Sequence, residues 1–339
     1  EDIDKYAKRF DDIVNRRLPV PPGLTVQKEY QRVKDEQNAQ TIYKIQDLFV
    51  DDVLFEYCKH PNVLDYVEAF IGPNLMAIHN MLINKPSDSG SKLISEEMVP
   101  REWDYSVWNE AREWESRTAT SGVRSRIDSR ISKSMLKALY EVCSGVEGVI
   151  RESSQTLCAG SKSSRHPLHQ DISYFPLRPM DGIVCAWTAM ETVNRANGCL
   201  VCIPGTHKGA HLEHWYPEWD GGVNKGYYGV KDMPATGYER RVHLEMEAGD
   251  CIFFHPLLIH GSGTNRTQGF RKAISCDYAS SDCQYIDVKG TLHEKMADEI
   301  MEHVNKSIIF NQEYGKQITN YSLLFKTRAQ LVRGMRINV

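Results

Sequence analysis

Between residues 164 and 290 the chain carries five short apolar or alternating runs with no helical period between them. They are "GIVCAWTAM" (182–190), "GCLVCIP" (198–204), "RVHLEME" (241–247), "DCIFFHPLLIHG" (250–261) and "RKAISCDYA" (271–279). Turns rich in Gly, Asn and Pro separate them. Strands in series, without helices to make parallel crossovers, bury their apolar faces by stacking two antiparallel sheets. The expected fold class is mainly β with flanking helices, its core a sandwich or jelly roll.

Helical periods lie on either side. Ile3, Tyr6, Ala7, Phe10, Ile13 and Val14 recur at helical spacing within residues 2–18. Residues 51–71 read as two short helices, the second opened by Pro61 and closed by Gly72 and Pro73. "LMAIHNMLINK" (75–85) reads as a strand, and residues 291–310 return to a helical pattern. The expected organisation is an N-terminal helical segment with the first core strand (1–92), an atypical insertion (93–160), the catalytic core (161–290), and a C-terminal helix and tail (291–339).

Composition narrows the function classes. A net charge of −4 over 339 residues offers no global field for nucleic acid. No apolar run approaches the roughly 18 residues of a membrane-spanning helix. Nine cysteines, an odd number scattered through strand-like segments, fit a reducing compartment better than a disulfide scaffold. The pair Cys199 and Cys202 has no second CxxC to complete a metal site and reads as core, its spacing on a strand turning the thiols to opposite faces. The chain opens at Glu1 inside a helical pattern, as a fragment or processed form would, and ends in "RINV", unlike a Ser-Lys-Leu address.

The chemistry begins at "RHPLHQDISYFPLRP" (165–179). On a strand, His169 and Asp171 share a face, so one imidazole and one carboxylate can reach the same ion. A second histidine would complete the two-His, one-carboxylate set of non-haem Fe(II) oxygenases. His260, 89 residues after Asp171, ends the run "GDCIFFHPLLIHG" and is the expected third ligand. His255 competes, but five residues of regular strand would turn it the other way. Arg271 follows His260 by eleven residues. A hairpin over "GSGTNRTQGF" would bring it beside His260, where its guanidinium could hold a carboxylate through two hydrogen bonds, with Ser262 adding a hydroxyl.

The strings "SSRHPLHQDISYFPLRPMDGIVCAWTAME", "NGCLVCIPGTHKG", "EWDGGVNK", "GDCIFFHPLLIHGSGTNRTQGFRKAISC" and "YIDVKGT" closely resemble the phytanoyl-CoA dioxygenase family. The resemblance is dense from Ser163 to Thr291 and looser outside it. It implies a double-stranded β-helix (jelly-roll, cupin-like) enzyme that uses Fe(II), 2-oxoglutarate and O2, with ascorbate keeping the iron reduced. The implied reaction is 2-hydroxylation of a branched acyl-CoA in fatty acid alpha-oxidation, yielding succinate and CO2, in the peroxisome. Under the resemblance the metal ligands are His169, Asp171 and His260, and the 2-oxoglutarate contacts are Lys44, Met81, Trp187, Ser262 and Arg271. Lys44, Met81 and Trp187 come from the resemblance alone; read as residues, Met81 and Trp187 are core and Lys44 is a solvated charge. Lys85, Arg165, Lys208 and Lys225 are candidate partners for the CoA phosphates.

Two departures bear on this reading. The family carries a further N-terminal segment, and it joins "LINKP…SG" to "SRHPLHQD" by a few residues where this chain interposes 93–160. That insertion is a surface excursion, a stretch absent from the physiological product, or a lid carrying Trp103, Trp108 and Trp114. Function has alternatives too. The same iron chemistry could act on another acyl or small-molecule acid, or the chain could be an inactive metal-binding homologue.

Overall fold

A computed structural model describes residues 1–28, 42–87, 136–138, 165–219, 223, 226–233, 240–306 and 320–339. Twelve strands make the two sheets that matter here. They are β1 (Thr25–Lys28), β2 (Ile42–Gln46), β3 (Leu75–Lys85), β4 (Leu136–Ala138), β5 (His166–His169), β6 (Ile183–Ala189), β7 (Leu200–Cys202), β8 (Val242–Leu244), β9 (Cys251–Phe254), β10 (His260–Ser262), β11 (Arg271–Ser280) and β12 (Gln330–Arg333). The larger sheet runs β1-β2-β3-β11-β6-β9-β4, with β12 also paired to β3; its pairs are antiparallel except β9 with β4. The smaller sheet runs β8-β7-β10-β5, antiparallel throughout.

From β6 onward the chain alternates between sheets: β6 in the larger, β7 and β8 in the smaller, β9 in the larger, β10 in the smaller, β11 in the larger. That winding is a double-stranded β-helix, the jelly roll. The period-two rule accounts for how the sheets meet. Along β6, Cys185, Trp187 and Ala189 face inward, where they pack with Leu200, Cys202 and Leu244 of the smaller sheet. Val184 and Ala186, on the other face, join Tyr6, Phe10 and Val67 from two covering helices, α1 (Asp2–Val14) and α2 (Pro61–Ile71). All seven residues of β6 are therefore buried. A further pair, α3 (Glu294–Lys306) and α4 (Tyr321–Arg328), packs with Phe175, Leu177 and Ile183.

Several expectations change. The N-terminal segment supplies three strands of the larger sheet, not one, because β1 and β2 extend it beyond β3. The C-terminal segment is no tail: α4 and β12 follow α3, and β12 pairs with β3. The run 250–261 is two strands rather than one, broken at His255–Ile259 around Pro256, where the chain leaves the larger sheet for the smaller. The insertion 93–160 lies outside the described residues except for the backbone of β4. Cys199 and Cys202 are buried thiols outside any disulfide, in the same apolar cluster. No described helix is long and apolar enough to cross a membrane.

Candidate metal and keto-acid site

A cavity of about 670 Å3 is lined by residues of both sheets and of α3 and α4. His169 ends β5 and His260 begins β10, and the antiparallel register sets them directly opposite one another, ring centroids 4.3 Å apart. Gln170 keeps the chain extended (φ −116°, ψ 128°), and Asp171 opens a single 3-10 turn, Asp171–Tyr174. Asp171 is thus one residue beyond the strand, not on it, yet its carboxylate returns to the histidines. Its Oδ1 lies 3.2 Å from His169 Nε2 and 3.6 Å from His260 Nε2.

The hydrogen bonds behind the rings decide what the front atoms can do. His169 Nδ1 donates to the carbonyl of Pro167 at 2.9 Å, and His260 Nδ1 donates to that of Leu258 at 3.0 Å. Each bond fixes its ring from behind and turns Nε2 toward the Asp171 carboxylate. Burial pushes His260 down to about 4, so it is neutral near pH 7. Burial works to raise Asp171, but the neighbouring His260 and His169 hold it below the ordinary carboxylate value. One ligand atom from each of His169, Asp171 and His260 lies within 4.8 Å of the other two, all three side chains are buried, and two imidazoles with one carboxylate are a set that holds divalent iron. The donor set fits a divalent metal.

Gln170, fully buried between the two candidate ligands, holds this segment. Its Nε2 donates to the carbonyls of Ala210 (3.1 Å) and Leu257 (2.9 Å), its Oε1 accepts from Leu212 N (2.8 Å), and its own N–H donates to His214 Nε2 (2.9 Å). Every polar group of the side chain is satisfied, so the turn that presents Asp171 is pinned from both sides.

Arg271 enters from the opposite wall. The expected hairpin is absent: β10 belongs to the smaller sheet and β11 to the larger, where Arg271 pairs with Lys85 of β3. The guanidinium is only 1% exposed, donates Nη2 to the Gly198 carbonyl at 2.8 Å, and lies 5.4 Å from the Trp187 ring centroid. Its Nε and Nη1 have no protein partner. Burial lowers it to about 10, still cationic at neutral pH. A buried charge with two idle donors is costly, and a ligand carboxylate would satisfy both needs.

Lys44, Met81, Trp187 and Ser262 all line the same cavity. Lys44 corrects its reading as a solvated charge. It is buried on β2, with its ammonium 5.0 Å from the Tyr227 ring centroid, and burial brings it down to about 8. His255 lies elsewhere, its Nε2 3.0 Å from Asp181 Oδ1. The break at Pro256, not strand parity, separates it from His260. Among the candidate CoA-phosphate partners, Lys85 is buried and donates to the Gly263 carbonyl (2.8 Å), Arg165 stacks on Trp219 (4.0 Å), Lys208 is exposed, and Lys225 lies outside the described residues.

One feature of the wall escapes any local reading. Tyr43 OH donates to Gln27 Oε1 (2.7 Å), Gln27 Nε2 to Gln46 Oε1 (2.6 Å), and Gln46 Nε2 to His79 Nε2 (2.8 Å). His79 Nδ1 then donates to Asp277 Oδ2 (3.3 Å). Burial, then the neighbouring Asp171, raises the Asp277 carboxyl well above its ordinary value, and a carboxyl oxygen of Asp277 lies within 4.8 Å of ligand atoms of Asp171 and Cys185. These residues come from four strands, so no motif in the chain announces them.

The chain is similar to known proteins of one family. A family model described as "Phytanoyl-CoA dioxygenase (PhyH)" matches residues 109–273. "Phytanoyl-CoA dioxygenase, peroxisomal" of Homo sapiens is 42% identical over 340 residues, covering 100% of this chain and 78% of that protein. "Probable phytanoyl-CoA dioxygenase" of Caenorhabditis elegans is 40% identical over 345 residues, covering 100% and 88%. Among solved structures, the apo form of EctD from S. alaskensis covers 84% of this chain and 71% of its own at a TM-score of 0.50 and 12% identity, a likeness of fold alone.

Proposed function

The chain belongs to the phytanoyl-CoA dioxygenase family, and from that premise we propose that it is an Fe(II)- and 2-oxoglutarate-dependent oxygenase that 2-hydroxylates phytanoyl-CoA and related branched acyl-CoA thioesters. The observation that carries the proposal is one cavity holding both halves of the chemistry: three convergent acceptors at His169, Asp171 and His260, and the unneutralised guanidinium of Arg271.

His169 Nε2, His260 Nε2 and a carboxylate oxygen of Asp171 would hold the ion, at a point of the cavity wall that a keto acid and O2 could reach. When bound, iron and 2-oxoglutarate would supply the O2 activation: one oxygen atom would go into succinate as the keto acid loses CO2, and the other would be inserted into a C–H bond of the carbon next to the thioester. Arg271 would hold the far carboxylate of the keto acid, and Ser262, which lines the same cavity, would add a hydroxyl. Lys44, protonated below about pH 8, adds a second positive charge to the same wall. Trp187 and Met81 close the cavity around these charges and exclude water. The reading extends to ascorbate as the reductant that returns the iron to the ferrous state. It also extends to a peroxisomal setting in alpha-oxidation, supported by the peroxisomal name of the human relative.

Two measurements test this. Anaerobic addition of Fe(II) and 2-oxoglutarate should give a metal-to-ligand charge-transfer band in the wild type and none in Asp171→Ala. Phytanoyl-CoA incubated aerobically with the loaded protein should gain one oxygen atom by mass spectrometry. A band without substrate oxidation would keep the cofactors and reject the substrate. No band in either protein would reject the oxygenase.

A further inference from the structure

The cavity leads away from the candidate metal ligands in two directions of opposite chemistry. One passes Lys44, Trp187 and Ser262 and ends on Arg271. The other can be followed ring by ring. Asp277, beside Asp171, meets His79; the His79 ring stands edge-on to Phe175 at 6.1 Å; and Phe175 lies 5.8 Å from Phe325 of α4. Past Phe325 the lining includes Ile300 and Val304 of α3 and Leu324 of α4.

The ionic groups at that end are already engaged. Arg328 Nε lies 3.2 Å from Asp47 Oδ1, and Glu299 accepts a hydrogen bond from Tyr216 OH at 2.8 Å. His303, exposed on α3, lines the cavity where it reaches solvent. What remains for a ligand in this arm is an aromatic and aliphatic wall, which a diacid cannot use. Volume agrees. A keto diacid of about ten heavy atoms, even at the roughly 30 Å3 that a water molecule occupies in the liquid, fills less than half of the cavity's 670 Å3.

We infer that this second arm, walled by Phe175, Ile300, Val304, Leu324 and Phe325, receives the branched alkyl chain of the acyl substrate, and that Ile300 sets the width of chain admitted. Ile300 is singled out because it is half-buried with its side chain on the cavity, whereas Leu324 is almost fully enclosed by the core. Methyl branches widen a chain without lengthening it, so a residue that narrows the arm acts on branched chains first. The inference rests on the proposed function, because it takes an acyl thioester as the substrate.

The test compares kcat/KM for a long branched and a short straight acyl-CoA, using the full chain loaded with Fe(II) and 2-oxoglutarate. In Ile300→Phe the branched-to-straight ratio should fall about tenfold or more, the scale on which an apolar pocket discriminates a misfitting group. In Ile300→Ala the ratio should hold or rise. An unchanged ratio in Ile300→Phe, with the short substrate still turned over, would overturn the assignment of this arm and leave the oxygenase reading intact. If the anaerobic absorption band shows that Ile300→Phe has not assembled its site, Ile300→Ala decides alone, and a fall in its ratio would overturn the inference. A wild type that binds 2-oxoglutarate yet oxidises neither acyl-CoA would remove the proposed substrate and this inference with it.

Discussion

A guanidinium as enclosed as that of Arg271 can stay charged only if something answers it. Here one carbonyl oxygen does so and two nitrogens wait. Truncating one member of a buried, hydrogen-bonded charge pair costs about 2–5 kcal/mol, much of it from the partner left without compensation. Arg271→Ala should therefore weaken 2-oxoglutarate binding by roughly 30-fold or more at the lower end of that range. Iron affinity measured without the keto acid should stay close to wild type. Arg271→Lys should fall between the two, since it keeps the charge but loses the planar fork. Isothermal titration of each ligand separates the effects, and equal losses of iron and keto acid would contradict the clamp.

At the scale of elements, the candidate metal centre depends on how closely β10 approaches β5. Gly261 sits between His260 and Ser262, and a Cβ there would lie 2.8 Å from the carbonyl oxygens of both His166 and Pro167. Those atoms are backbone, held by the sheet, and cannot swing aside. Gly261→Ala should push the two strands apart and with them the rings of His169 and His260, which the register sets opposite each other. We expect iron affinity to drop at least tenfold and stability to fall by about 1–3 kcal/mol, the usual cost of overpacking. Metal titration and chemical denaturation would check each part; an iron affinity equal to wild type would show that the strand spacing does not set the site.

For the whole molecule, the buried histidines tie stability to pH. Burial is the first cause in each case: it takes His79 to about 4, His214 to about 4 and His211 to about 3. In the unfolded chain each returns to about 6.5, so below that pH the unfolded state binds protons that the folded state refuses. A depressed histidine thus leaves stability level above about pH 7 and removes it as pH falls from about 6.5 toward 4. His260 acts in the same direction in the metal-free protein, and bound iron would oppose its protonation. Thermal unfolding at pH 7.5 and pH 5.0 should show a clearly lower midpoint in acid, less so with Fe(II) present. Equal midpoints at the two pH values would contradict the burial of these rings.

Local sequence was enough for whatever a window of a few residues encodes. Short, largely apolar runs bounded by turn residues at 182–190 and 271–279 marked β6 and β11, because a strand covered on both faces writes a nearly continuous apolar stretch into its own residues. The spacing of His169 and Asp171 marked a candidate ligand pair, because an extended backbone carries both side chains to one side over so short a reach. Tertiary structure alone decided which distant groups join them. It put Arg271 on the opposite sheet instead of on a hairpin, buried Lys44 under Tyr227, and split 250–261 where the chain changes sheets. It also linked Tyr43, Gln27, Gln46, His79 and Asp277 across four strands and brought α3 and α4 to the far arm of the cavity. The physical reason is that burial, and the hydrogen-bond partners that burial demands, depend on sheet register between segments up to 250 residues apart (Gln27 to Asp277), and no short stretch of the chain contains that register.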